Sequence, residues 1–486
     1  MGRPRVCLFL HRHISMLKKQ NYKQQADKIT QWIDDYFNKL ESLPVKSQVK
    51  PGDILSQLPE EAPINGEGFS EIIKDLDKII VPGITHWQHP NFHAYFAANS
   101  SVESVLAETV TAAIGAQCMI WDTSPAAAEL EERMMEWLRI AMGIPDTFEG
   151  VIQDTASTAT LASIITAREV KTNFESNEIG VPQNLRVYCS SEAHSSIEKA
   201  VGICGIGKRN LIKIAVDDQM RMIPAALENQ IIQDISEGFV PCCAIAAIGT
   251  TGTLAVDPLD EIGKICEKYK VWLHVDAAYA GTALLLTEYR WMIKGIERAD
   301  SFVFNPHKWM FTNFDCSVYF VKDVKCLTRV FEVLPEYLKT STRGLVNDYR
   351  DWGIPLGRRF RALKLWFVMR SYGISGIKEA LRKHLALTQL FAKSLLKNKQ
   401  FQLLFDPFLN FTCFRFVPEG NFTEEELNEL NEKLLRAINS TGKVFLTHTK
   451  VNGKYAIRML IGQTYVEETH VEKVLGVIYK EIENIV

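Results

Sequence analysis

Apolar residues recur every three or four positions through Ile29, Trp32, Ile33, Tyr36, Phe37 and Leu40. That spacing predicts an amphipathic helix over about 23–40, whose apolar face must pack either on the core or across a dimer interface. Turn formers gather between Pro44 and Pro63, and helical spacing resumes through Ile72, Ile73, Leu76 and Ile79 before the aromatic stretch Trp87 to Phe96. From about Ser100 helices alternate with short apolar runs. The run Cys242 to Ile248 lacks polar alternation, the pattern of a strand covered on both faces in a parallel sheet. A helical stretch from about Pro258 to Lys270 and the strand Val271 to Val275 follow, giving the strand, helix, strand repeat of an α/β domain. Beyond about Tyr372, long helices such as 378–396 mix with strand-like pieces at Phe411 to Phe416 and Tyr455 to Ile461, a smaller α+β domain. The expected organisation is an N-terminal helical segment over 1–99, a large α/β domain over 100–372 and a small domain over 373–486.

Bulk properties narrow the chemistry. The 486 residues, 47% hydrophobic and 23% charged, can bury large cores. A net charge of -3 arises from 55 basic and 58 acidic residues scattered together, so no basic face is offered to nucleic acid or to an anionic membrane, and a small-molecule substrate is expected. Ten cysteines without a CxxC pair suggest neither a zinc ribbon nor a disulfide framework and fit a reducing cytosol. The apolar piece Val6 to Leu10 is too short for a signal-peptide core, no membrane span is expected, and Met16 is an alternative start to Met1. Glycosylation-like triplets at Asn410, Asn421 and Asn439 carry no weight in a cytosolic chain. His86, His89 and His93 would align on a helix, but Pro90 interrupts it, and no metal site is expected. The glycines from Gly202 to Gly207 lack the spacing of a P-loop and serve a tight turn instead.

The informative pair is Asp276 and Lys308. Asp276 directly follows an apolar strand, and Lys308 closes the turn Asn305-Pro306-His307-Lys308 directly after another, Ser301 to Phe304. Carboxyl ends of strands are where open α/β sheets place ligands, and the two residues are about one strand-helix-strand unit apart. A lysine and an aspartate so placed suit pyridoxal phosphate: the amine forms an imine with the cofactor aldehyde, and the carboxylate pairs with the protonated pyridine nitrogen. A surface ion pair is the alternative for either residue alone, and the strand-end placement with His307 alongside weighs against it. Thr155-Ala156-Ser157, just before the helical run through Leu161, Ile164 and Ile165, offers hydroxyls and amides to a phosphate, although the same residues make an ordinary helix cap. His194 follows the strand Leu185 to Tyr188 and either stacks on the cofactor ring or is a plain loop histidine.

Six segments, Thr85 to Trp87, Ala94 to Phe96, Ser190 to Ser196, His274 to Gly281, Asn305 to Trp309 and Pro355 to Phe360, together resemble the group II pyridoxal-phosphate-dependent decarboxylases, above all the aromatic-L-amino-acid decarboxylases. The similarity runs from about Met16 nearly to Val486. It implies the type I, aspartate-aminotransferase-like fold, with segment 1–99 serving dimerisation and part of the substrate pocket, and a homodimer whose active site is shared across the interface. It further implies that Lys308 is the Schiff-base lysine, Asp276 the pyridine partner, His194 the stacking ring and Ala278 its counterpart on the opposite face. Phosphate contacts fall to Thr155, Ala156, Ser157 and Asn305, with Thr251 and His307 next to the cofactor. Trp87, Tyr95 and Phe96 resemble the aromatic substrate pocket. Gln117 and Met119 match positions offered by the neighbouring subunit, and glycine at Gly357 accompanies bulky indole or catechol substrates. Tyr337, on a mobile loop over 335–347, matches the residue that returns a proton to the substrate Cα, where phenylalanine resembles the aldehyde synthases. The expected activity is decarboxylation of tryptophan, dihydroxyphenylalanine, tyrosine or phenylalanine to the amine in the cytoplasm. The alternatives are an aromatic aldehyde synthase and a non-catalytic pyridoxal-phosphate carrier. Two departures stand out: Asp154 replaces a small residue, commonly glycine, and Thr158 stands where relatives often carry glutamate. A carboxylate near a phosphate is unfavourable unless it points away.

Overall fold

The computed structural model describes residues 22–333, 342 and 344–485, and the chain divides in sequence between His89 and Pro90 into two units. In the first unit the predicted amphipathic helix forms as α1 (Tyr22–Lys39). Its aromatic face is organised locally: Trp32 stacks on Tyr36 with centroids 5.6 Å apart, and Tyr36 Oη hydrogen-bonds His86 Nδ1 at 2.8 Å. Asp77 accepts from Trp32 and Lys39, which ties α1 to the segment after α2 (Phe69–Asp75).

The second unit begins with α3 (Val102–Ile114) and α4 (Pro125–Met142), followed by β1 (Glu149–Gln153), α5 (Ala156–Lys171), β2 (Leu185–Ser190), α6 (Ser196–Ile203), β3 (Leu211–Ile214), α7 (Pro224–Ser236), β4 (Val240–Ala247), α8 (Leu259–Tyr269), β5 (Trp272–Asp276), β6 (Ser301–Phe304) and β7 (Ser317–Val321). These strands form one sheet in the order β1-β7-β6-β5-β4-β2-β3. The pairs from β6 through β5, β4 and β2 to β3 are parallel, as the apolar runs predict, and β4 is buried from Pro241 to Ala247. The sheet is nevertheless mixed, because β7 pairs antiparallel with both β6 and β1. The physical reason is the connection: residues 305–316 hold one helical turn, Pro306–Trp309, which is too little for a crossover, so the chain must fold straight back. Apolar clusters fill both faces of the sheet, one around Leu273, Phe302 and Phe320, the other around Val187, Ile245 and Val303.

After α9 (Val324–Phe331), α10 (Arg361–Leu395) packs on α3 and α4 and then reaches the C-terminal elements. It turns at Gly373, whose φ of 62° is open to glycine without strain. Four antiparallel strands follow, β8 (Phe401–Leu403), β9 (Phe411–Phe416), β10 (Thr447–Val451) and β11 (Lys454–Leu460), in the order β10-β11-β9-β8. α11 (Glu424–Ser440) and α12 (Glu468–Ile485) cover them over a core around Phe391, Phe414 and Ile457. Among the described residues, no helix is long and apolar enough to cross a membrane.

Candidate active site

β5 and β6 are neighbours, with Asp276 opposite Val303, so the residue ending one strand and the turn following the other emerge side by side. The turn is fixed by backbone bonds. Ala278 N–H donates to Asp276 Oδ1 at 3.0 Å, and Asn305 N–H donates to the Ala278 carbonyl at 3.0 Å. Burial pulls the Lys308 ammonium below its ordinary range, against the opposing pull of the Asp276 carboxylate. A lysine held this way is more readily the neutral amine that a carbonyl needs.

His194 lies in the turn between β2 and α6. Partial burial lowers its pKa, while the charge of Asp276 raises it and that of Lys308 lowers it, which places all three groups within electrostatic reach of one another. Ser196 N–H donates to His194 Nδ1 at 3.2 Å, so the neutral imidazole carries its proton on Nε2. His307 is held differently. Its Nδ1 accepts from Cys316 N–H at 2.9 Å, and burial, followed by the neighbouring Lys308, pushes it down to about 3, so it stays neutral.

Beneath these residues runs a buried chain of hydrogen bonds. Trp272 Nε1–H donates to Ser163 Oγ at 2.9 Å, Ser163 meets Ser301 at 2.8 Å, Ser301 meets His274 Nδ1 at 2.9 Å, and His274 Nε2 meets Thr160 at 3.1 Å. An indole can only donate, so Ser163 accepts from Trp272, and both ring nitrogens of His274 have hydroxyl partners. Burial pushes His274 down to about 4, in keeping with a neutral ring. The chain ties α5, β5 and β6 together, the three elements that carry the candidate phosphate, pyridine and lysine positions.

Thr155 caps α5, its Oγ1 accepting from Thr158 N–H at 3.4 Å; Ala156 and Ser157 form the first turn. Asp154 Oδ1 accepts from Thr155 N–H at 2.6 Å. Asn305 Oδ1 accepts from Ser317 Oγ–H at 2.7 Å, which leaves its amide hydrogens to donate elsewhere. Thr251 lies in the turn between β4 and α8, where the adjacent Gly252 carbonyl accepts from Arg458 Nε at 3.1 Å.

Phe96 is buried and stacks on Tyr279 at 4.1 Å, Tyr279 on Trp309 at 5.4 Å, and Trp309 on His384 at 6.4 Å. Asn410 Nδ2 donates to Tyr279 Oη at 2.5 Å, and Gly462 leaves that contact room: a Cβ there would lie 2.8 Å from the hydroxyl. Lys308 Nζ is 5.4 Å from the Phe96 centroid. Tyr95 is exposed, in a left-handed conformation, with its N–H on Thr447 Oγ1 at 3.3 Å. Trp87 belongs to the first unit. Gln117 Oε1 accepts from Arg358 N–H at 2.7 Å, and Met119 O from Arg350 N–H at 2.9 Å. A Cβ on Gly357 would lie 3.5 Å from Gln117 Nε2, so Gln117 and Gly357 share one patch. Tyr337 and most of its loop lie outside the described residues.

One residue escapes the motif reading. Arg458, inside β11, is buried with its guanidinium 5.7 Å from the Phe96 centroid. Nη1 donates to Thr447 Oγ1 at 2.7 Å, Nη2 is buried without a partner, and burial pushes the group down to about 10. The signal was an arginine interrupting the apolar run Tyr455 to Ile461. Among the described residues, no group of three or more histidine, cysteine, aspartate or glutamate side chains can hold a metal ion.

This arrangement suits a flat, anionic aldehyde. It offers a depressed lysine, a carboxylate at the same strand end, the His194 ring, a helix first turn with the amide of Asn305, and an aromatic wall with a cation whose Nη2 has no partner. The family model described as the pyridoxal-dependent decarboxylase conserved domain matches residues 51–417. Tyrosine decarboxylase 2 of Narcissus pseudonarcissus is 40% identical over 465 residues, 93% of this chain and 92% of that protein. Phenylacetaldehyde synthase of Arabidopsis thaliana is 40% identical over 476 residues, 96% of each. The crystal structure of Oryza sativa TDC with PLP and tryptamine superposes with a TM-score of 0.93 at 33% identity, covering 97% of this chain and 99% of that one.

Proposed function

Because the chain belongs to the pyridoxal-dependent decarboxylase family, with the type I fold and pyridoxal phosphate as its cofactor, we propose that it releases carbon dioxide from an aromatic L-amino acid and leaves the amine. The observation that carries the proposal is Lys308 Nζ, 5.4 Å from the Phe96 centroid and in the field of Asp276. It puts the covalent anchor against an aromatic wall. The bound cofactor supplies a sink for the electron pair left when the carboxylate departs.

In this reading Lys308 holds the cofactor and Asp276 keeps a proton on its pyridine nitrogen. His194 and Ala278 would hold the ring between them. The first turn of α5, with Thr155, Ala156 and Ser157, holds the phosphate together with Asn305, and Thr251 and His307 close the surroundings. Phe96 and Tyr95 orient the aromatic side chain, and Arg458 Nη2 meets the substrate's anionic end. Tyr337 returns the proton to Cα, which favours an amine over an aldehyde. Glycine at 357 keeps side-chain atoms off Gln117 and leaves that wall open to a bulky ring, consistent with tryptophan or dihydroxyphenylalanine as well as tyrosine or phenylalanine.

The chain works as a homodimer in this proposal. Val102, Leu106, Val110 and Ile114 form an exposed apolar stripe at four-residue spacing on α3, and the Gln117 and Gly357 patch is offered to the partner's site. A monomer in sedimentation would remove that part. Free thiols at all described cysteines support a reducing, cytoplasmic setting. The aldehyde-forming alternative draws on the relative from Arabidopsis thaliana. Purified protein is to be given tryptophan, tyrosine, phenylalanine and dihydroxyphenylalanine separately, with amine, aldehyde and peroxide measured. Amine without peroxide is expected, and Lys308→Ala should abolish turnover. Aldehyde with equimolar peroxide would establish the alternative, and an active Lys308→Ala variant would remove the assignment of the anchor.

A further inference from the structure

The segment assigned to the phosphate opens with a carboxylate. Asp154 Oδ1 accepts from Thr155 N–H at 2.6 Å and lies 3.5 Å from the Thr155 hydroxyl. In a capping box, the amide of the cap residue is closed by the side chain at the third helical position. That position here is Thr158, whose hydroxyl instead meets Thr155 Oγ1 at 3.3 Å. Asp154 therefore does from in front of the helix what a longer acidic side chain at 158 would do from within it. Either side chain would set its charge on the same Thr155 amide. Asp154 lies two residues before Ala156 and three before Ser157, whose amides α5 offers to an anion, and its charge opposes their attraction.

The neighbouring cations do not offset it. Arg361, which lies in the field of Asp154, is clamped by Asp315 through two bonds of 2.9 and 3.1 Å. Lys364 pairs with Glu108 at 2.9 Å, and Arg359 pairs with the same carboxylate.

We propose that Asp154 makes this chain hold the phosphate of its cofactor loosely, so that the enzyme exchanges cofactor with solution and its loaded fraction follows cofactor supply. The inference rests on the assignment of the phosphate to Thr155, Ala156, Ser157 and Asn305. Asp154→Asn separates charge from cap, because the amide oxygen still accepts from Thr155 N–H. The double variant Asp154→Gly with Thr158→Glu keeps a carboxylate on the Thr155 amide but delivers it from within the helix.

Holoenzyme of each form is to be dialysed free of cofactor, checked for fold by circular dichroism, and titrated with pyridoxal phosphate or with pyridoxal, which lacks the phosphate. The visible band of the lysine-bound cofactor reports binding. Asp154→Asn is expected to tighten pyridoxal phosphate by about tenfold, the scale of one removed like charge at a partly solvated anion site. Its affinity for pyridoxal should not change, and inorganic phosphate should raise its Tm more than that of the parent. The double variant, which returns a carboxylate to the same amide, should bind pyridoxal phosphate about as the parent does. Unchanged or weaker affinity of a folded Asp154→Asn protein for pyridoxal phosphate would overturn the proposal. Equal tightening of both compounds would also overturn it, since the carboxylate would then act through the fold. A visible band that fails to form with either compound in any variant would instead strike at the site assignment beneath it.

Discussion

The two sheets of the second unit contribute to the site by different routes. The seven-stranded sheet presents Asp276, Lys308 and His194 just past strand ends, where chain direction alone brings them to one edge. The four-stranded sheet contributes Arg458 from within β11, aimed by its packing over Phe96 and Phe411 and by bonds to Gly252 and Thr447. The first route needs topology and leaves the tips replaceable. The second couples function to the interior, because a buried guanidinium with an open Nη2 is a standing desolvation cost that an anionic guest would relieve.

That contrast makes unequal demands on variants. The largest effect is expected for Asp276→Asn, which keeps an acceptor for the Ala278 amide but loses the charge: activity should fall on the order of a thousandfold, while Tm stays within a few degrees. A near-normal kcat would break the claim that the strand-end carboxylate acts electrically. Arg458→Met should lower kcat/KM about a hundredfold, mostly through KM, with an unchanged or higher Tm because a buried, half-partnered cation has been removed. A steep loss of Tm would show that Arg458 is structural and erase the distinction between the sheets.

A third effect, on stability alone, concerns acid. His274, His307 and His384 are pushed from 6.5 down to about 4, 3 and 3, chiefly by burial. The folded chain keeps them neutral while the unfolded chain takes up protons below pH 6.5. Unfolding therefore binds more protons, and stability should fall as pH drops from about 6.5 toward 4, by at most three protons' worth of slope. Urea titrations between pH 7 and 5 measure it, and a flat profile would count against the buried neutral rings. His384→Gln should remove about one third of the slope, separating the ring under Trp309 from the two at the large sheet.

Legibility follows the same division. The strands ending at Asp276 and Phe304 were readable because uninterrupted apolar runs stop at a charged or turn-forming residue. Helix α1 was readable from its periodic aromatic face. The reversal of β7 was not, since its apolar run looks the same in either direction and only the short connection decides. A change near Tyr372 was readable from the loosening of the pattern, and α10 does break its helical backbone at Gly373. Arg458 was passed over because the run Tyr455 to Ile461 reads as a plain apolar strand unless its single charge is asked for a partner. The bond from Asp154 to the Thr155 amide depends on a side-chain rotamer, which residue type alone does not specify.

The reversed strand has a kinetic consequence. Phe304 pairs with Val318 across a short local hairpin, whereas the other neighbour of β7 pairs Gln153 with Ser317 from half a domain away in sequence. Closing the near pair costs little loop entropy, and the far pair must wait for β2 to β5 to be laid down. During synthesis, the turn bearing Lys308 is thus set by residues made within moments of it, while its register with the helix bearing Thr155 is settled only when the sheet is sealed.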